Sequence, residues 1–179
     1  MPRPLLLACA LSLLGPAAGA QTPSGFTTGP VIKAFGPAVA IPAAEPLPED
    51  FRLKVRFDIT EAAEPGQINR KLETAARVFN MHARAGLDPE HIDLALVIHG
   101  PAVLEMTQDL YAQRNGVDNA NAALIAALAE QKVRIIVCGQ SAAAQGVDAS
   151  DLLPQAALSL SAITAHALLD DQGYSLNPF

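Results

Sequence analysis

The sequence predicts an α/β fold: a mainly parallel sheet flanked by helices on both faces. Three observations lead there. Residues 92–98 (IDLALVI) and 133–137 (VRIIV) are short, mostly apolar runs of the kind buried on both sides of a parallel sheet. Segments with apolar residues at helical spacing lie between these runs. Strand and helix patterns then alternate from residue 51 to the C-terminal region, which is the signature of parallel strands joined by crossovers. At 179 residues the chain suits one domain with one core.

Residues 1–20 are expected to be a cleavable signal peptide. Arg3 supplies a positive start, 5–14 a short apolar run, and Ala18-Gly19-Ala20 a small-residue cleavage site, which makes Gln21 the mature N-terminus. The run is too short to span a bilayer, so the reading is a periplasmic or secreted protein with no membrane span. Residues 21–49 hold Pro23, Pro30, Pro37, Pro42, Pro46 and Pro48, a density that excludes helix and interior strand. They read as an extended or poorly ordered leader, with 31–35 a short piece that docks on the domain or on another subunit. The α/β domain is expected over 50–179.

Its first strand, 51–60, alternates without a fault: Phe51, Leu53, Val55, Phe57 and Ile59 face one way. Arg52, Lys54 and Arg56 face the other, a pattern common on edge strands that must resist pairing. Residues 67–85 have helical spacing and end before Gly86, a suitable residue for a left-handed helix end. The buried strand 92–98 follows, then His99-Gly100-Pro101. Residues 102–114 read as a helix stopped by Asn115-Gly116, and Asp118 as the cap of a second helix over 119–131. After strand 133–137 come Cys138, Gly139 and a short helix over 141–145 ending at Gly146, with Asp148 or Ser150 capping a further turn. A strand over 156–160, a helix over 162–169 and a last short strand near 173–176 complete the order.

Charge narrows the function. Without Arg3, 11 basic residues face 18 acidic ones, and no basic stripe is present to neutralise phosphates. Nucleic acid and anionic membranes are therefore poor partners. Only two cysteines occur, Cys9 and Cys138. With Cys9 removed, Cys138 has no partner in the chain and no intramolecular disulfide can form.

Cys138 closes an apolar strand and opens a helix, the position where α/β folds place reactive groups and where a helix start favours a thiolate. His99 has the same offset after its own strand. Neighbouring parallel strands lie about 4.8 Å apart, so an imidazole acting as base or ion-pair partner to the thiol is sterically reasonable. The plainer alternative is a small buried cysteine and a histidine satisfied at a strand end. Gly139, Gln140 and Ser141 offer backbone amides suited to an anion. A capped N-terminal turn explains them equally well. No dinucleotide fingerprint and no nucleophile elbow is present. One Cys with one His falls short of a zinc site, His82 and His91 are separated by Gly86 and Pro89, and His166 stands alone on its helix, so no metal and no cofactor are expected.

The chain resembles the DsrE/DsrF-like family of sulfur-relay and sulfur-oxidation proteins over roughly 51–176. The resemblance rests on Leu96-Val97-Ile98-His99-Gly100-Pro101, on 119–128, on 133–146 and on Gly173-Tyr174, with Val137-Cys138-Gly139-Gln140-Ser141 and Gly146-Val147 the most specific part. It implies a DsrE-like (flavodoxin-like or Rossmann-like) sandwich assembled as a homo-oligomer, a trimer or hexamer. It also implies a cysteine at this strand end that carries sulfur as a persulfide, exchanged with sulfur donor or acceptor proteins. That role transfers to Cys138, with His99 and Gly100 lining the same pocket. Two features depart from the pattern: the export signal, and Gln145 where a basic residue often precedes the glycine. Two functions from different classes follow: a single-thiol sulfur carrier of sulfurtransferase type, or a non-catalytic small-ligand or assembly module with a structural cysteine. A third is a redox sensor joined by an intermolecular disulfide.

Overall fold

The computed structural model describes residues 25–177. The expected signal peptide and its cleavage site lie outside the described residues. Five parallel strands form one sheet in the order β4-β3-β2-β1-β5. They are β1 (Leu53–Ile59), β2 (Ile92–Ile98), β3 (Arg134–Cys138), β4 (Ala156–Ser159) and β5 (Ser175–Leu176). The helices are α1 (Arg70–Arg84), α2 (Asp109–Asn115), α3 (Ala122–Glu130), α4 (Gly139–Ala144) and α5 (Ala162–Asp171).

The chain steps from β1 to β4 in one direction across the sheet, then returns over it to β5 at the far side. Right-handed crossovers made in opposite directions put their helices on opposite faces. The larger core therefore joins Phe57, Ile59, Leu94, Leu96, Ile98, Ile135 and Val137 to α1, α3 and α4. The second face packs Ala95 and Val97 against Ala165, Leu169 and Tyr174 of the α5 region. This is the predicted two-faced sandwich. The alternation of side chains along each strand sends Asp58, His99 and Cys138 to the α5 face.

Several elements differ from expectation for local reasons. The expected helix over 102–114 is a 3-10 segment, Gly100–Met106, followed by a break and α2. Thr107 causes the break: its hydroxyl bonds to Leu104 O at 2.8 Å, and its backbone bridges to Leu152. The helix expected from 119 begins at Ala122, because Asn119 is used elsewhere, accepting from Asn121 N and donating to the Glu105 and Thr107 carbonyls. Asp148, in a capping box, starts the short 3-10 turn Ala149–Asp151. Glu105 is fully buried, accepting from Ala63 N at 2.7 Å and Asn69 Nδ2 at 2.6 Å. Burial holds its carboxyl above the usual range although these bonds oppose the shift.

β1 is an interior strand, so its basic residues do not guard an edge. Arg56 is buried against the α5 region, donating to Tyr174 O and pairing with Asp170 at 2.9 Å. Lys54 lies over the Tyr174 ring, 4.8 Å from its centroid.

The described part of the leader is a strap folded onto α1. Thr27 and Ala38 pair to close a loop. Asn80, fully buried on α1, accepts from Val31 N and Ile32 N at 3.1 and 2.9 Å and donates to the Ile32, Phe35 and Gly36 carbonyls at 2.9–3.0 Å. Arg84 grips the Thr27, Thr28, Gly29 and Ala38 carbonyls. At Gly36 (φ +65°) a Cβ would stand 2.3 Å from Arg77 N, so only glycine lets the strap lie this close to the helix. The 31–35 piece thus docks on its own domain.

Candidate functional site

The C-terminal ends of the strands carry a polar row on the α5 face. Cys138 pairs with Ser159 of β4 across one side. On the other side Ile98 pairs with Val137, so His99 and Cys138 are the next positions on neighbouring strands. His99 in turn follows Ile98↔Ile59, which sets it beside Thr60. The shared offset seen in the sequence therefore corresponds to adjacent positions in space.

Cys138 is itself the N-cap of α4. Its Sγ accepts from Ser141 N at 3.4 Å, in the role usually filled by a Ser or Asp oxygen. The helix thus starts at Gly139, immediately after the thiol, and not at 141. Ser159, its partner on β4, leads two residues later into Ser161, the N-cap of α5. The thiol lies where two helices begin. Burial pushes the Cys138 pKa up, but hydrogen bonds from Ser141 Oγ and from the Ser141, Ala162 and Gln140 N–H groups outweigh it, holding the thiol below its ordinary value. The residue is nevertheless only 5 % exposed.

The polar groups expected to bind a ligand are largely engaged with one another. Gly100 N donates to Ser141 Oγ at 3.1 Å, and Gln145 Nε2 donates to Gly100 O at 2.6 Å and Ser141 O at 3.2 Å. Gln145 thus ties the 100–106 segment to α4. Gln140 Nε2 reaches Leu160 O at 3.4 Å. Gly139 has a packing reason: a Cβ there would meet Ser159 O at 2.8 Å, so a side chain would push β4 away.

His99 directs its ring at Asp58 and Thr60. Its Nε2 is 2.8 Å from Asp58 Oδ1, and Thr60 Oγ1 lies 2.9 and 3.1 Å from its two ring nitrogens. His166, expected to stand alone, places Nε2 2.9 Å from the same Asp58 oxygen. Burial raises the Asp58 pKa, but the hydrogen bonds and charges of His166 and His99 prevail and keep the carboxyl below its usual value. Asp58 and His166 were not legible as site residues. Asp58 is one of several charges on an alternating strand, and His166 meets it only because α5 recrosses the sheet. No group of three or more His, Cys, Asp or Glu among the described residues is arranged to hold a metal. A separate apolar cavity of about 440 Å³ lies between the strap and α1, on the opposite face from Cys138, lined by residues including Val39, Ile41, Leu47 and Met81.

The DsrE/DsrF-like family model matches residues 54–178, from β1 to the end of the sheet. The chain belongs to the DsrE/DsrF-like family. No curated protein matches it. Among solved structures, it is similar to the protein of unknown function MTH1491 from Methanobacterium thermoautotrophicum. Identity is 22%, 70% of this chain and 97% of that chain are covered, and the TM-score is 0.53. The likeness establishes a shared DsrE-like fold. The part of this chain that precedes the family match holds the strap and the residues before it. No helix among the described residues is long and apolar enough to cross a membrane.

Proposed function

We propose that this DsrE/DsrF-like domain is an exported single-thiol sulfur carrier, with Cys138 as the persulfide acceptor. The observation that carries this reading is the position of the Cys138 sulfur on the backbone donors at the start of α4, where it accepts from Ser141 N at 3.4 Å and hydrogen bonding holds its pKa low despite burial. A thiolate is the species that attacks sulfur, and these donors stabilise it. In the transfer, the Cys138 thiolate attacks the outer sulfur of a donor persulfide. A new S–S bond forms on Cys138, the donor's S–S bond breaks, and the donor thiolate leaves with the proton given up by Cys138. Sulfane sulfur changes carriers with no net oxidation or reduction, and the single cysteine of the mature chain suffices. Export to the periplasm or beyond belongs to the proposal and rests on the first 20 residues.

The test is mass spectrometry of the folded, exported chain after incubation with a persulfide donor. A one-sulfur increment on the peptide containing Cys138, absent from Cys138→Ser, is expected. An unmodified peptide from intact protein overturns the reading. Burial of the thiol favours the second reading, a ligand-binding or assembly module with a structural cysteine. Full biological activity of Cys138→Ser would select it.

We also propose a homo-oligomer, a trimer or hexamer by family resemblance. Its support is an apolar patch next to the site: Leu158 on the edge strand β4, Leu160, and Ile163 at the start of α5, which is 82 % exposed.

A further inference from the structure

The cavity of about 440 Å³ between the strap and α1 takes one wall from each element. The strap wall, within residues 39–47, precedes the family match, so the matched domain alone does not build this space. The strap is fastened on either side of that wall. Before it, Ala38 pairs with Thr27, and Asn80 and Arg84 hold the 27–38 loop to α1. After it, Leu47 and Phe51 pack against the larger core. Among the described residues, the one hydrogen bond of 39–47 runs from Ala44 N to Ile41 O, and none reaches α1. Pro42 and Pro46 remove two backbone donors and fix φ at both places, so this stretch spans α1 without bonding to it.

The chemistry of the walls selects the occupant. Val39, Ile41, Leu47 and Met81 make them mainly apolar. Two of their polar groups are turned to the protein: His82 Nδ1 donates to Val78 O at 2.8 Å, and Arg84 donates to the strap carbonyls. Glu45 offsets the charge of Arg84. An ion entering would shed its water with no unengaged counter-charge to receive it, whereas an uncharged apolar body would gain by burial. Benzene fills an apolar cavity of about 150 Å³, so this space suits a molecule on the order of fifteen non-hydrogen atoms. Ile41 and Met81 are 62 % and 42 % exposed, which leaves the space open to solvent.

We propose that this cavity is a binding site for a small, uncharged, mainly apolar molecule, with residues 39–47 as the wall that yields to admit it. The site lies on the opposite face from Cys138 and stands independently of the sulfur-carrier reading.

The test uses the full mature chain and two fluorescent compounds with the same ring system. N-phenyl-1-naphthylamine is uncharged, and 1-anilinonaphthalene-8-sulfonate carries an anion. The uncharged compound is expected to bind saturably, one per chain, and about tenfold or more tighter than the sulfonate. The Met81 methyl resonance should shift with the same midpoint. Met81→Glu is expected to weaken binding at least about tenfold, and Ala44→Trp, which adds a ring to the wall, to weaken it as well. Ile163→Asp, on the other apolar patch, should leave it unchanged. Absence of saturable binding, a tighter sulfonate, an unmoved Met81 methyl, or binding lost in Ile163→Asp and kept in folded Met81→Glu and Ala44→Trp overturns the site. A fall in mass by light scattering in Met81→Glu, with the helical circular dichroism intact, would give this face to a second copy and overturn it too.

Discussion

At the scale of single residues, Cys138 is both a helix cap and a thiol. A capping sulfur must present lone pairs to backbone N–H groups, and the same N–H groups stabilise it once it ionises. Ser141 adds a hydroxyl on the sulfur side while accepting from Gly100 N–H, so it links the thiol to the 100–106 segment. Removing that hydroxyl takes one donor from the thiolate and leaves the backbone donors in place. Ser141→Ala is therefore expected to move the alkylation midpoint of Cys138 upward, toward the free-thiol value of about 8.5, and to slow alkylation near pH 7 by roughly three- to tenfold. The wild-type midpoint should lie below that value. An unchanged midpoint in Ser141→Ala would mean that the hydroxyl does not contact the ionised sulfur.

At the scale of elements, the strap and α5 do related work on opposite faces. The strap lies over α1 and α5 over the second face of the sheet, and each is fastened by a buried polar residue, Asn80 for the strap and Arg56 beside α5. A proline-rich segment has few backbone hydrogen bonds of its own, so its carbonyls need side-chain donors. Asn80 and Arg84 supply them. Asn80→Ala would leave several buried backbone groups unpaired, and a loss of roughly 2–4 kcal/mol is expected in urea unfolding. Limited proteolysis should then cut between residues 27 and 38 faster than in the wild type. Equal stability would show that water replaces the amide at no cost.

At the scale of the whole molecule, the sheet order decides what meets what. Four strands advance across the sheet and the fifth is reached by recrossing it, so α5 alone covers the second face among the described helices that pack in the two cores. Its start, with Ile163 and the neighbouring Leu160 on the edge strand's flank, remains largely exposed. An association of copies through this patch would bury it and bring the Cys138 site near a subunit boundary. Ile163→Asp is expected to lower the mass seen by light scattering from an oligomer to a monomer without loss of helical circular dichroism. A wild-type chain that runs as a monomer at micromolar concentration would remove the proposal.

What the sequence determined by itself was local and periodic. The apolar runs at β2 and β3 give both strands to within a residue, the alternation of 51–60 gives β1, and the breaks at Gly86, Gly116 and Gly146 end helices where a left-handed residue is needed. The shared offset of His99 and Cys138 after their strands is visible there too, since strand ends are set by local composition. Only the tertiary structure decided the partners. Arg56 reads as a solvent-facing charge until α5 covers it, Thr107 breaks its helix where its backbone bridges to Leu152, Asn119 delays the next by bonding the Glu105 and Thr107 carbonyls, and His166 has no sequence signal linking it to Asp58. Periodicity records which face of an element is buried. It carries no information about which polar atom on another element lies within 3 Å, because that distance is fixed by the direction of a crossover many residues away.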